Sequence, residues 1–294
     1  MTRFLAATVA LASLAPVQAR AALFPPLRII GNVYYVGDDD LASFLITTPK
    51  GDILINNGFE YSAEEIRARM KMLGFKITDI KILLVTHAHS DHAAATATLK
   101  RITGAKLMAI EQETELLETG GRTDYLFGSS GWFPPAKVDR QFKDGDRIEL
   151  GGSSLTAHLT PGHTKGSVSY SMDVAEGGRT YHVLIANLGS INPGTEFLHN
   201  DRYPKIREDY AATFRIQKEL ACDVFLTSHA SQFGLLAKWK PGMPYDPERF
   251  VDPEGYHRAV ERLEQRFLET VQAQRDEDQA ARDYVNFKKI PQDR

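Results

Sequence analysis

The stretch "LLVTHAHSDHAAA", residues 83–95, places three histidines and one aspartate within six positions at the end of an apolar run. The apolar run predicts a buried strand. Because an extended chain directs every second side chain to the same side, His87 and His89 face the same way. The chain must then turn into a helix, and this turn swings Asp91 and His92 toward the first pair. One metal ion cannot comfortably take four ligands from so short a stretch, whereas two neighbouring ions can share them.

Two more histidines follow later strands of the sequence. His163 lies in "LTPGHTKGS", where a strand stops at a Pro-Gly turn, and His229 lies in "VFLTSHAS", just past an apolar run. Loops that follow strand ends converge on one edge of a sheet, where binding sites tend to be built. Five imidazoles and one carboxylate suit zinc. The predicted ligands are His87, His89, Asp91, His92, His163 and His229. The other histidines lack this context, and we expect them to be structural or solvated: His158, His182, His199 and His257.

The overall composition is that of a globular protein with a full hydrophobic core. The chain has 294 residues, of which 43% are hydrophobic and 25% are charged. A net charge of −3 offers no basic stripe that would neutralise phosphates, so we expect a small-molecule partner rather than nucleic acid. No stretch approaches the ~20 consecutive apolar residues of a membrane span, so we predict no membrane partner. The oligomeric state stays open.

The first residues have the order of a secretory signal peptide. A basic start at Arg3 precedes an apolar run over residues 4–14 and then small residues near Ala19. We therefore predict a signal peptide over residues 1–21, one mature domain over residues 22–294, and export to a bacterial periplasm. A buried N-terminal helix is the alternative. Cys222 is the only cysteine, so no intramolecular disulfide can form, and we expect this side chain to be buried.

Strand-like and helix-like segments alternate along the mature chain, and a long C-terminal helix is predicted from about Pro253 to Asp283. Residues 120–139, "GGRTDYLFGSSGWFPPAKVD", do not fit this alternation and predict a long functional loop. Trp132 and Phe133 are candidates for lining a substrate groove. The alternative for both is packing of the loop onto the body of the protein.

Four features together resemble the metallo-β-lactamase superfamily: "THAHSDH", "TPGH", the later strand followed by His229, and the strand-helix order over roughly residues 28–285. The resemblance implies an α/β fold, the αβ/βα sandwich. In that fold two sheets face each other, helices lie outside, and the metals are held at one edge between the sheets. The fold alone does not choose a reaction, because the superfamily includes β-lactamases, thioesterases, lactonases and nucleases.

The segment after the next strand favours one branch of the superfamily. Thioesterases and lactonases of this type usually have a metal-bridging aspartate there, whereas "HVLIANLGSINPG" has Asn187 and Gly189 and no acid. Subclass B3 metallo-β-lactamases resemble this chain in "DIKILLVTHAHSDHAA" and "LTAHLTPGHTKG", and they have a serine near the position of Ser190. The resemblance therefore implies an exported, zinc-dependent β-lactamase.

The resemblance also implies two zinc ions. The first would be held by His87, His89 and His163, and the second by Asp91, His92 and His229. A zinc-bound hydroxide would hydrolyse the lactam amide without an acyl-enzyme, with Asp91 as the catalytic residue that orients it. Ser190 and Asn192 are candidates for binding the substrate carboxylate, and ordinary loop roles are the alternative. No serine lies in a G-x-S-x-G elbow, so a serine hydrolase is not predicted.

One departure from the family pattern concerns the strand "GDILINNG". The family commonly has an aspartate that orients the site after this strand, whereas this chain has Asn56 and Asn57. An amide still forms hydrogen bonds but has no charge, so we expect lower metal affinity. Two other functions fit the residues. One is an exported metallo-hydrolase of the same fold that acts on a lactone or thioester, and the other is a non-catalytic zinc-binding protein.

Overall fold

The computed structural model describes residues 23–289, with side chains through residue 282. Two β-sheets face each other and helices cover their outer faces, which confirms the predicted α/β sandwich. The predicted signal peptide, residues 1–21, lies outside the described residues. Within residues 23–289, no helix is both long enough and apolar enough to cross a membrane.

The first sheet has seven strands that lie side by side in the order of the sequence. Their bounds are β1 Leu27–Ile30, β2 Val33–Tyr35, β3 Phe44–Ile46, β4 Asp52–Ile55, β5 Ile80–Leu84, β6 Lys106–Ile110 and β7 Arg140–Phe142. The strands from β1 to β4 are antiparallel, and those from β4 to β7 are parallel. Every residue of β3 and β4 is buried, as expected for central strands that are covered on both faces.

The second sheet has five strands in the order β12-β11-β10-β9-β8. Their bounds are β8 Arg147–Leu150, β9 Ser153–Leu159, β10 Val168–Glu176, β11 Arg179–Ala186 and β12 Val224–Thr227. Neighbouring strands are antiparallel except β11 and β12, which are parallel and are connected through a helix. A parallel pair needs such a crossover because a tight turn reverses the direction of the chain and therefore joins only antiparallel strands.

Seven α-helices connect or follow the strands within residues 23–289. Their bounds are α1 Ser62–Met72, α2 Ser90–Ala93, α3 Thr96–Thr103, α4 Thr114–Thr119, α5 Ile206–Glu219, α6 Leu235–Lys238 and α7 Pro253–Lys289. The predicted C-terminal helix is present and extends past its predicted end.

Two hydrophobic cores hold these layers together. The core between the sheets includes Phe44 and Ile55 from the first sheet and Tyr170 from the second. The other core lies between the first sheet and helices α1 and α3, where Met70 and Leu99 are fully buried. Full burial of each such side chain contributes about 1.5–3 kcal/mol. These cores fix both sheets and therefore fix the loops at their edges.

Helices α5 and α7 cover the second sheet through a cluster of aromatic rings. Tyr210 of α5 stacks on Phe267 of α7 with ring centroids 5.7 Å apart, and Phe214 lies 5.8 Å from the same ring. The Tyr210 hydroxyl donates a 2.8 Å hydrogen bond to the Ser190 carbonyl. The helix layer therefore positions the loop that follows β11.

Hydrogen bonds join the two sheets where β5 ends. The N–H of Val168 donates to the Thr86 carbonyl at 2.8 Å, and the Tyr170 hydroxyl donates to the Val85 carbonyl at 2.9 Å. The hydroxyls of Thr86 and Ser228 lie 2.8 Å apart. Loops from both sheets are therefore held against each other at the edge where the predicted zinc ligands lie.

Candidate metal centre

A short helix forms the turn after β5. Helix α2 begins at Ser90, directly after His89, and the His89 carbonyl accepts the N–H groups of His92 and Ala93 at 3.0 and 2.9 Å. The side chains of Asp91 and His92 are thereby brought next to the histidines that precede the helix. The rings of His87 and His92 have centroids 4.4 Å apart.

The three residues predicted to hold the first zinc lie together. One ring nitrogen from each of His87, His89 and His163 lies within 4.8 Å of the other two. All three side chains are buried, although His163 comes from the loop between β9 and β10 of the second sheet. Three imidazoles converging on one point are the donor set of a zinc site that keeps a position open.

The predicted second set lies beside the first. Donor atoms of Asp91 and His92 lie within 4.8 Å of each other and of His87. The ring of His229 lies 4.9 Å from that of His92, and its Nε2 is 3.6 Å from Oδ2 of Asp91. The structure thus brings all six predicted ligands to one place between the sheets.

Burial and neighbouring imidazoles lower the pKa of three of the clustered histidines. Burial holds the pKa of His87 well below its ordinary value, with neighbouring imidazoles adding to the effect, and it lowers the pKa of His163 to about 3. Burial also lowers the pKa of His92, against the opposing Asp91 carboxylate. These imidazoles are therefore neutral, and a neutral imidazole has the lone pair that a metal requires.

The surroundings of Asp91 favour its charged form instead. Burial alone would raise the pKa of its carboxyl, but the adjacent His92 ring and the other nearby imidazoles outweigh burial and hold the pKa well below its usual range. Asp91 is therefore ionised over the working pH range. It supplies the single negative charge among the six predicted ligands.

The ring of His92 gives an independent test of the fit to zinc. Both of its nitrogens are buried and make no hydrogen bond, although Asp91 Oδ2 lies 3.2 Å from Nε2. A buried polar atom without a partner is rare and indicates a missing ion or water. Imidazole nitrogen and carboxylate oxygen are ordinary zinc ligands, so these residues fit zinc.

Three of the histidines have their second ring nitrogen held by an oxygen. The Asp124 carboxylate lies 3.3 Å from Nε2 of His89, the Asp40 carboxylate lies 3.0 Å from Nδ1 of His229, and the Ser190 carbonyl lies 2.9 Å from Nδ1 of His163. Such partners fix the orientation of the ring and leave the opposite nitrogen free for a metal.

Sequence reasoning missed both carboxylates. Asp124 lies in the loop of residues 120–139, which was predicted to be functional and whose acidic residues are only Asp124 and Asp139, so the sequence contained a signal for it. Asp40 lies in "VGDDDLASF", between β2 and β3, where nothing local distinguishes it from its neighbours.

Asn56 and Asn57 support the ligand loops through hydrogen bonds. Oδ1 of Asn56 accepts the Thr86 N–H at 2.8 Å, and the N–H of Asn57 donates to the His92 carbonyl at 2.9 Å. Asn56 has a φ of 60°, a left-handed conformation that asparagine tolerates better than most residues. The Asn56 side-chain amide and the Asn57 backbone N–H therefore hold the backbone beside the ligands, and neither contact needs a charge.

A cavity of about 410 Å³ opens beside the six residues. This volume suits a small-molecule ligand. Ser190 and Asn192 line the cavity as predicted candidates, and Gln232 lines it as well. Phe59 and Phe127 supply aromatic walls, with the ring of Phe127 lying 5.1 Å from that of His89.

The two aromatic residues that the sequence analysis proposed for the groove lie elsewhere. Phe133 is 1% exposed and belongs to the core between the first sheet and its helices, with its N–H bonded to the Gly120 carbonyl. Trp132 is 46% exposed, packs against the Arg122 guanidinium and does not line the cavity. Neither side chain lines the cavity, whereas Phe127, just before the 3-10 turn Gly128–Gly131, does.

Residues 36–229, a span that contains all six predicted ligands, match the metallo-beta-lactamase superfamily. The chain belongs to this superfamily. Membership agrees with the resemblance noted in the sequence and with the fit of these residues to zinc.

Solved structures of the superfamily match over almost their whole length. The class B3 di-zinc metallo-beta-lactamase LRA-12 from an Alaskan soil metagenome is 44% identical with a TM-score of 0.82, covering 86% of this chain and 98% of that one. The metallo-beta-lactamase GOB-18 from Elizabethkingia meningoseptica is 42% identical with a TM-score of 0.83, covering 90% of this chain and 100% of that one.

Curated relatives match over shorter segments. The hydroxyacylglutathione hydrolase of Hyphomonas neptunium is 33% identical over 85 residues, which is 29% of this chain and 26% of that enzyme. The first curated relatives are each matched over only about a quarter to a little over a third of their own length.

Proposed function

We propose that this protein is a subclass B3 metallo-β-lactamase that hydrolyses the lactam amide of β-lactam antibiotics with two zinc ions. The observation that carries the proposal is the meeting of His87, His89 and His163 with Asp91, His92 and His229 at one cavity. Likeness to class B3 enzymes over 86–90% of this chain supports it. Zinc in such a site acts as a Lewis acid and lowers the pKa of a bound water to about 7.

Six residues would hold the two zinc ions, and one of them, Asp91, would also orient the attacking water. His87, His89 and His163 would hold the first zinc, and Asp91, His92 and His229 the second. Asp91 lies between the two sets and is ionised, so its carboxylate can accept a hydrogen bond from the attacking water and orient it. Attack by water directly on the lactam carbonyl requires no acyl-enzyme and no nucleophilic serine.

Substrate binding would depend on neutral groups and aromatic walls. Among the described residues that line the cavity, none is a lysine or arginine. A substrate carboxylate would therefore contact the hydroxyl of Ser190 and the amide of Asn192, together with the second zinc. Phe59 and Phe127 would pack on the apolar parts of the antibiotic.

A thioesterase on the same fold is the second candidate, and its support is the short likeness to hydroxyacylglutathione hydrolases. The end of β11 argues against it. The segment there contains no acid that could bridge the metals, and the backbone carbonyl of Asn187 accepts a 2.7 Å hydrogen bond from Gln217 of α5. Asn187 is thus part of the contact between the second sheet and α5. It has no carboxylate to offer the metals.

Export to the periplasm is part of the proposal, since the antibiotics would be met there. Its support is the order of charge and hydrophobicity in residues 1–21.

A substrate panel tests the choice of reaction. The zinc-loaded protein is assayed with a cephalosporin, a carbapenem, a hydroxyacylglutathione thioester and a lactone. The proposal predicts that the β-lactams have the highest kcat/KM. A thioester or lactone that exceeds both β-lactams would contradict it and favour the second candidate.

A further inference from the structure

One buried carboxylate joins the two loops that carry the first set of histidines. Glu113 is 1% exposed and ends the 3-10 turn that follows β6. Its Oε1 accepts the Ala88 N–H at 2.5 Å, and its Oε2 accepts the Gly166 N–H at 2.9 Å. The Thr164 hydroxyl lies 2.9 Å from both oxygens.

The partners of Glu113 are the immediate neighbours of the ligands. Ala88 lies between His87 and His89 in the first sheet's loop, and Thr164 follows His163 in the second sheet's loop. A single side chain thus spans the gap between the sheets at the metal edge.

Gly166 packs directly against Glu113. A Cβ atom at residue 166 would lie 2.4 Å from the Glu113 backbone nitrogen and 2.6 Å from Oε2. Real Cβ atoms are not found so close to other heavy atoms. The loop after His163 can therefore reach Glu113 only because residue 166 has no side chain.

We propose that Glu113 is a positioning residue that sets the distance between the His87–His89 loop and the His163 loop, and thereby the geometry of the first zinc site. This inference rests on the zinc centre of the proposed function. Glu113 does not contact the substrate cavity, so it acts through the backbone of the ligand loops.

The contact requires a carboxylate rather than an amide. Both oxygens accept hydrogen bonds from backbone N–H groups, so a glutamine at residue 113 would place its NH₂ against the N–H of either Ala88 or Gly166. Burial raises the pKa of Glu113 to about 7, and the bonds from Ala88 and Thr164 oppose that rise. Experiments at about pH 8 therefore compare an ionised glutamate with a neutral amide.

The test uses two variants that break the contact from opposite sides, Glu113→Gln and Gly166→Ala. The control is Asp52→Asn, which neutralises another buried carboxylate, 4% exposed, at the start of β4 away from the cavity. Three quantities are measured for the mature protein: zinc affinity by competition with a chelator, the absorption spectrum of the Co²⁺-substituted protein, and the gain in Tm on adding zinc.

We expect Glu113→Gln to weaken binding of the first zinc by roughly 10- to 100-fold, as loss of groups that orient ligands typically does. Its Co²⁺ spectrum should change and its zinc-dependent gain in Tm should shrink, whereas Asp52→Asn should keep all three wild-type values. Gly166→Ala should resemble Glu113→Gln if it folds, and Glu113→Gln alone decides the matter if it does not.

A purely structural role would lower the Tm of the metal-free and zinc-loaded forms equally, with unchanged affinity and spectrum, and that result would overturn the inference. These measurements do not depend on β-lactam turnover. A wild-type protein that binds zinc without hydrolysing β-lactams would contradict the proposed function and leave the role of Glu113 testable.

Discussion

The carboxylate of Asp40 lies 3.0 Å from Nδ1 of His229, which joins a loop of the first sheet to the end of β12 in the second. The Ser231 hydroxyl donates a 2.6 Å hydrogen bond to the other oxygen of the same carboxylate. Burial alone would raise the pKa of Asp40, but the bonds from Ser231 and His229 outweigh it and lower the pKa. An ionised Asp40 therefore turns Nε2 of His229 toward Asp91.

Replacing Asp40 should weaken the second metal site more than the first. In Asp40→Ala we expect roughly 10- to 100-fold lower affinity for the second zinc, because the His229 ring loses the partner that orients it. Stepwise zinc titration monitored by calorimetry measures both affinities. Asp39→Ala is the matched control, since it removes a neighbouring exposed carboxylate. Equal affinities in the two variants would show that Asp40 does not orient His229.

The aromatic wall of the cavity should be formed by Phe127 rather than Trp132. In Phe127→Ala we expect KM for β-lactams to rise several-fold with a smaller change in kcat, because about 1 kcal/mol of apolar contact with bound substrate is lost. In Trp132→Ala we expect both constants to stay near those of the wild type, since Trp132 lies outside the cavity. Steady-state kinetics with a cephalosporin decides between them, and a larger KM effect from Trp132→Ala would reverse the assignment.

Asp52 should make stability depend on pH below neutrality. Burial raises the pKa of its carboxyl from 3.8 to about 6, with a backbone hydrogen bond from Thr48 opposing, and Oδ2 has no hydrogen-bond partner. Because the folded protein then binds the proton more tightly than the unfolded chain, the stability contribution of Asp52 falls as the pH rises from about 4 to 6. The Asp52→Asn variant has no carboxyl to deprotonate at this position, so it does not lose that stability as the pH rises.

Thermal unfolding of wild type and Asp52→Asn from about pH 4 to 8 checks this prediction. The variant should have the higher Tm at pH 7 and above, and the difference should shrink toward pH 4. A Tm difference that is constant over the whole range would mean that Asp52 titrates normally.

The parts of the site that the sequence predicted are those with a local signal. His87, His89, Asp91 and His92 fall within six positions, so the end of one strand and one turn suffice to bring them together. His163 could be added because it follows a strand that stops at a Pro-Gly turn.

The parts that were missed or misplaced depend on tertiary structure. Asp40 meets His229 only after the two sheets pack, and Glu113 reaches Gly166 only across the same interface. Phe133 looked like a binding residue because its segment is a loop, yet it packs into the core beside Gly121. The signal peptide over residues 1–21 and the single domain over residues 22–294 stay predictions.

The most direct test of the central claim is zinc-dependent hydrolysis of nitrocefin and imipenem by the mature protein. The assay compares zinc-loaded, chelated and zinc-restored wild type with His163→Ala and with His158→Ala, a control histidine on the second sheet that bonds to Ser171. A subclass B3 enzyme should lose turnover on chelation, regain it with zinc, lose it in His163→Ala and keep it in His158→Ala. Tight binding of two zinc ions without turnover of either β-lactam would contradict the account.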